Sequence, residues 1–235
     1  METTLGDVWR EVLSTQEEPE RWIVLGAAVL ALAAVLFTPV WRVARNVVTI
    51  AHEGGHALVA LLSGRRLTGI RLHSDTSGVT VSRGRPTGPG MVLTVFAGYV
   101  APSLIGLLGI VMLMSDRITA LLWLSLAVLA AMLLMIRNIY GVVSVVATGA
   151  AVFLVSWFTP SEVQGAFAYL FIWFLLFAGV RPVFELQSQR RRRPSPQSDA
   201  DQLARLTGVP GTLWVGVFAL VNLAVTALGV WLLLF

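Results

Sequence analysis

Seven runs of mostly apolar residues, each about 18 to 24 long, constrain this chain more than anything else in it: Trp22 to Val40, Asn46 to Ser63, Met91 to Met114, Ile118 to Ile136, Ile139 to Phe158, Gly165 to Phe184 and Thr212 to Phe235. Coiled as a helix at ~1.5 Å per residue, such a run reaches across the ~30 Å hydrocarbon layer of a bilayer. In lipid only a helix or a closed barrel satisfies its own backbone. The expectation is an all-α integral membrane protein of about seven transmembrane helices. Composition agrees, with 56% hydrophobic and 13% charged residues. There is no cysteine, so any metal would be held by histidines and carboxylates.

Residues 1–21 are acidic, unlike a signal peptide. Leu5, Val8, Trp9, Val12 and Leu13 recur there at helical spacing and predict a short interfacial helix. Residues 22–235 read as a single polytopic membrane domain. Within it, Thr68 to His73 and Gly78 to Arg83 alternate apolar with polar residues around a Ser74 to Ser77 turn, which predicts a β-hairpin over about 66–84. It could cap the membrane surface or offer an edge to an extended peptide. A polar linker over about 187–211 carries the Arg190 to Arg193 run with Pro194 and Pro196. All 17 basic residues are arginines lying beside apolar runs. That points to the lipid bilayer as partner and not to nucleic acid. With seven spans, 14 of the 17 fall on the N-terminal side. The positive-inside rule then sets the N-terminus, hairpin and linker in the cytoplasm and the C-terminus outside.

The second run holds His52-Glu53-Gly54-Gly55-His56, an H-E-x-x-H pattern. Residues four apart share one helix face, so two imidazoles can meet one Zn²⁺, and Glu53 beside them can serve as a general base on a water held there. Polar triplets at membrane depth are expensive and tend to be functional. Gly54 and Gly55 weaken the helix by roughly 1 kcal/mol each; they could line the site or simply allow close helix packing. As Asn46 to Ser63, closed by Gly64, this helix barely spans, with the metal roughly 12 Å from its cytoplasmic end. A third protein ligand is needed, and His73, Glu185, Asp199 and Asp201 are the candidates on that side. Ser198-Asp-Ala-Asp reads as a helix start with Ser198 as N-cap and Asp201 in a capping-box position, which gives both aspartates another role. Asn138 is a further polar residue at a span's cytoplasmic end, either a cap or a site-lining group.

These residues resemble a known group. His52-Glu-Gly-Gly-His-Ala57, then Gly64 and the hairpin, Ala97-Gly-Tyr-Val-Ala-Pro102 with Gly106, Arg137-Asn-Ile-Tyr-Gly141, and Ser198-Asp-Ala200 with Leu203-Ala-Arg-Leu-Thr-Gly-Val-Pro210 are similar to blocks of the compact bacterial, B-like branch of the site-2-protease-like zinc metallopeptidases, over about residues 45–230. The resemblance implies a zinc-dependent intramembrane endopeptidase in the bacterial inner membrane. Its substrates would be membrane proteins such as a tethered regulator or an anti-sigma factor. It implies His52 and His56 as ligands and Glu53 as base. The better-known enzymes draw their third ligand from an L-D-G motif that this chain lacks; the resemblance makes Asp199 the substitute. Two other functions stay open: a non-catalytic membrane scaffold or chaperone retaining a metal site, and a membrane zinc protease of the prenyl-protein-processing kind, for which Glu185 is the only suitable downstream Glu.

Overall fold

The computed structural model describes Gly6, Arg10, Val12, residues 14–192 and residues 198–235. Most of the expected N-terminal helix, and Arg193, Pro194 and Pro196 of the linker, lie outside the described residues. Helix α1 (Arg21–Leu36) stops at Phe37, whose backbone is extended, and α2 (Thr38–Leu62) restarts at once with Pro39 in its first turn. The two axes meet at 100°. The first apolar run, Trp22 to Val40, therefore breaks at Phe37, and Thr38-Pro39 near its end begins the next helix, because a proline without an N–H fits a helix's first turn as well as it stops a preceding one. The motif helix is therefore 25 residues, about 37 Å long, and not a short span. It closes at Gly64, whose φ of 71° is the left-handed conformation glycine takes freely, with the Arg65 amide donating to Ala60 O at 2.9 Å.

Strands β1 (Arg66–Leu72) and β2 (Gly78–Arg83) form the expected antiparallel hairpin, pairing Leu72 with Gly78 at the tip and Arg66 with Arg83 at the base. Then come α3 (Pro89–Leu113), α4 (Ile118–Leu133), α5 (Ile139–Phe158), α6 (Ser161–Ala178), α7 (Arg181–Arg192), α8 (Asp199–Thr207) and α9 (Gly211–Leu234). The linker is thus largely helical, since α7 and α8 occupy much of it. Length and apolarity qualify α3, α5, the α6–α7 unit and α9 as spans, and the bent α1–α2 pair as a fifth. Helix α4 is apolar but only 16 residues long. By length and composition the described helices thus supply four spans, or five with the bent pair, against the seven runs of the sequence.

The two ends of the bundle carry different chain segments. At the α3–α4 end the Gln16 amide donates to Asp116 O, Gln16 Oε1 accepts from the Thr119 amide, both at 2.9 Å, and Arg21 donates to Leu234 O at 3.2 Å. The hairpin lies at the other end of α3. The Gln16 to Arg21 segment and the hairpin, expected on one side, thus lie at opposite ends of α3. Three apolar clusters hold the bundle, one among α1 to α6, a second among α3, α7, α8 and α9, and a third joining α2, β1, α4 and α5. Many other large apolar side chains, such as Leu58, Leu108, Leu220 and Trp231, are exposed, as helices facing lipid require.

A charged knot fixes the α1–α2 break. Arg181 donates to Val35 O and Leu36 O, answering carbonyls that the end of α1 leaves free, and its guanidinium lies 4.8 Å from the Trp41 ring centre. Glu185 accepts from Trp41 Nε1 at 2.9 Å and from Arg181 Nε at 3.0 Å, and pairs with Arg45 at 3.2 Å. About three quarters of each side chain is buried, so the knot falls below a fully buried pair. Glu185→Ala, which strands two arginines, is expected to cost about 2–3 kcal/mol. Trp41→Phe, which removes one donor, should cost about 1 kcal/mol beyond any packing loss. Thermal unfolding in detergent reads both.

Candidate metal centre

The site begins with the packing of α2 on α3. Gly55 faces Ala97 and Ala101 so closely that an added Cβ would run into Ala101 Cβ and lie 3.0 Å from Ala97 O. Gly55 therefore serves helix packing. A Cβ at Gly54 would meet only Met132 Sδ, at 4.0 Å. The close approach lets His56 Nδ1 donate to Thr94 O at 2.7 Å. With its proton fixed on Nδ1, the ring turns the lone pair of Nε2 inward. His52 presents Nε2 from one turn earlier, 3.1 Å away, with the two rings perpendicular. Gly98 stands opposite both: a methyl there would collide with His56 Nε2 and come within 2.8 Å of His52 Cε1. Tyr99 meets the His52 ring edge-on, with centres 4.9 Å apart, and stacks on Phe218.

The third group arrives from the far end of the chain. Ser198 caps α8, accepting from the Asp201 amide at 3.3 Å, and Asp201 is held by Arg190 at 2.7 Å and by the Ser198 hydroxyl, also at 2.7 Å. The Arg190 guanidinium, followed by Ser198, keeps the Asp201 carboxyl below the usual carboxylate range despite some burial. That leaves Asp199, the first residue of α8, to turn inward, where its Oδ2 lies 3.2 Å from His52 Nε2 and 3.3 Å from His56 Nε2. Buried Ala200 and Leu203 anchor α8 in the α3–α7–α9 cluster and so fix where Asp199 points. The other candidate ligands are engaged elsewhere: Glu185 in the charged knot and His73 at the exposed hairpin tip beside Ser77.

Two imidazole nitrogens and one carboxylate oxygen thus converge, all within 4.8 Å of one another, and could hold a metal ion. Ligands ~2.1 Å from a tetrahedral centre stand about 3.4 Å apart. The observed separations of 3.1, 3.2 and 3.3 Å match that spacing. Without cysteine, the donor set is the His–His–carboxylate type that suits Zn²⁺ with one position open.

Glu53 is 2% exposed, and its carboxylate is gripped by the hairpin: Thr80 Oγ1 donates to Oε2 at 2.6 Å, while Gly78 leaves room that a Cβ would take from Oε1 and from Cδ, 2.7 Å away. Asn138 does not face the cluster. Its amide brackets the Leu72 backbone, donating to the carbonyl at 2.6 Å and accepting from the amide at 3.2 Å, so it fastens the hairpin that holds Glu53. Thr80, Gly78, Gly98, Thr94 and Tyr99 escaped notice as site residues in the sequence. The period-two alternation places Thr80 and Gly78 on one strand face, and Gly98 and Tyr99 fall in the Ala97 to Pro102 block, but neither pattern says which group each would touch.

Among curated proteins and solved structures none matches the chain. A family model, described as peptidase M50B-like, matches residues 25–229. That stretch runs from the first helix nearly to the end of the last and includes all three converging residues along with Glu53 and the hairpin that grips it. On that match the chain belongs to the peptidase M50B-like family, the B branch of the site-2-protease metalloproteases.

Proposed function

We propose that this protein is a zinc-dependent intramembrane endopeptidase that hydrolyses peptide bonds of membrane-embedded substrates. The convergence of His52, His56 and Asp199 at tetrahedral spacing, with a buried carboxylate next in sequence, is the observation that carries the reading. Zinc held by the three residues would acidify a water and polarise the scissile carbonyl. Glu53 takes the proton of the attacking water on its carboxylate and delivers it to the leaving amide nitrogen. Thr80 holds one oxygen of that carboxylate, leaving the other, beside Gly78, for the proton. His56 is kept in register by Thr94 and His52 by Tyr99.

A substrate helix must open before its carbonyls are accessible. The outer edge of β1 is closed, since the Ile70 amide donates to Met135 O and the Arg137 amide to Ile70 O. Strand addition of an unwound substrate therefore belongs to the outer edge of β2, beside Gly78 and Thr80. Bacterial inner-membrane residence, with a tethered regulator or anti-sigma factor as substrate, goes with this reading. Arg65, Arg66, Arg71, Arg83, Arg85 and Arg137 cluster at the hairpin end, so we set that end in the cytoplasm and the Gln16 to Arg21 segment and Leu234 outside.

Metal analysis of the purified chain should find about one zinc per molecule, reduced in Asp199→Ala and unchanged in Asp201→Ala; the reverse would move the ligand two residues along. Gly98→Ala should also lower occupancy by pushing the imidazoles apart, whereas Gly54→Ala should not. Glu53→Gln should keep its zinc yet cleave a model transmembrane substrate about 100-fold or more slowly, the usual span of acid–base catalysis. Unchanged cleavage in a zinc-loaded Glu53→Gln protein would sink the mechanism and favour a structural metal site.

A further inference from the structure

A crevice of about 520 Å³ opens between α7 and the first turns of α9. That volume is typical of small-ligand sites. Val183, Phe184, Val215 and Ala219 give it a largely apolar wall, and Arg191 and Arg192 line it as well, with Gln187, Ser188 and Thr212. The α6–α7 unit runs 32 residues, about 48 Å, which exceeds the ~30 Å hydrocarbon layer and brings its basic last turn to headgroup depth. Arg190 is committed to Asp201 and Gln187. Arg191 and Arg192 are exposed and have no carboxylate partner among the described residues. The nearby acids are taken, Asp199 by the histidines, Asp201 by Arg190 and Glu185 by Arg45 and Arg181.

Two guanidiniums with no carboxylate partner among the described residues, lining a largely apolar slot, suit an amphiphile whose anionic head precedes a hydrocarbon chain. We propose that the α7–α9 crevice binds one anionic phospholipid of the bilayer, its phosphate on Arg191 and Arg192 and an acyl chain along Val183, Phe184, Val215 and Ala219. A soluble anion would leave the apolar walls unfilled. A neutral lipid would leave the arginines unanswered.

Native mass spectrometry of the delipidated full-length protein, titrated with phosphatidylglycerol, with phosphatidylcholine of the same acyl chains and with inorganic phosphate, tests this. Roughly 1 kcal/mol for each basic residue at an anionic headgroup makes the expected preference for phosphatidylglycerol about 30-fold at one lipid per chain. Arg191→Gln/Arg192→Gln should erase the preference, and Ala219→Trp, which fills the slot, should weaken both lipids. Arg66→Gln/Arg83→Gln on the hairpin should change nothing, and millimolar inorganic phosphate should not displace the lipid. Equal binding of the two lipids, a preference that survives the Arg191/Arg192 variant, lipid binding untouched by Ala219→Trp, or displacement by phosphate would each overturn the proposal.

Discussion

The rest of the structure depends on how closely α2 lies against α3. Lipid tails are as apolar as leucine, so nothing presses two helices together in a bilayer except close van der Waals contact and polar bonds. Gly55 over Ala97 and Ala101 supplies the contact, and the His56–Thr94 bond at 2.7 Å supplies the polar link. The two need each other. A wider gap would leave the buried Nδ1–H without an acceptor, at about 1–3 kcal/mol, and would free the ring to swing. Gly98 then provides the space into which both imidazoles point, so four small residues on two helices, Gly55, Ala97, Gly98 and Ala101, decide whether the nitrogens can converge.

Bringing charge into this bundle is costly, and the chain offsets that cost with partners rather than with solvent. Asp199 lies against two imidazoles, Glu53 against Thr80, Asp201 against Arg190, and Glu185 among Trp41, Arg45 and Arg181. A buried pair adds little net stability, but stranding one member costs several kcal/mol. This explains how two aspartates two residues apart diverge. Asp201 satisfies Ser198 and Arg190 at the rim, and that fixed first turn of α8 leaves Asp199 pointing at the histidines.

Much of this was legible in the sequence because it is local. The motif histidines, the hairpin with its turn, the Gly64 stop and the Ser198 cap each depend on a few neighbouring residues, and the structure has all of them. The chemistry of Ser198-Asp-Ala-Asp left both aspartates open, and only the fold separates them. What escaped was set by tertiary contact. Proline at position 39 is compatible with either end of a helix, so the residues alone do not tell a bent α1–α2 pair from two separate spans. Asn138 was recognised as a polar group near a span's end, but its partner is the Leu72 backbone, 66 residues away. No local pattern encodes that, nor the meeting of Thr80 with Glu53.

Among the described residues the hairpin is non-helical backbone that touches the buried Glu53, and backbone near a membrane site has to be satisfied by protein or water. Here protein does most of that work. Its base is tied by Arg65 to Ser82 at 2.9 Å, its middle by Ile70 to residues 135–137, and its tip by the Asn138 amide at Leu72 and by Thr49 Oγ1 to Thr76 O at 2.9 Å. A strand pinned at base, middle and tip is a wall and not a flap. Thr80 and Gly78 therefore hold the Glu53 carboxylate through ties independent of the His52–His56–Asp199 cluster. A base fixed in this way needs no reorganisation when a substrate arrives. The same pinning closes the outer edge of β1 and leaves that of β2, so an extended chain docking there would lie directly beside the residues that grip the base.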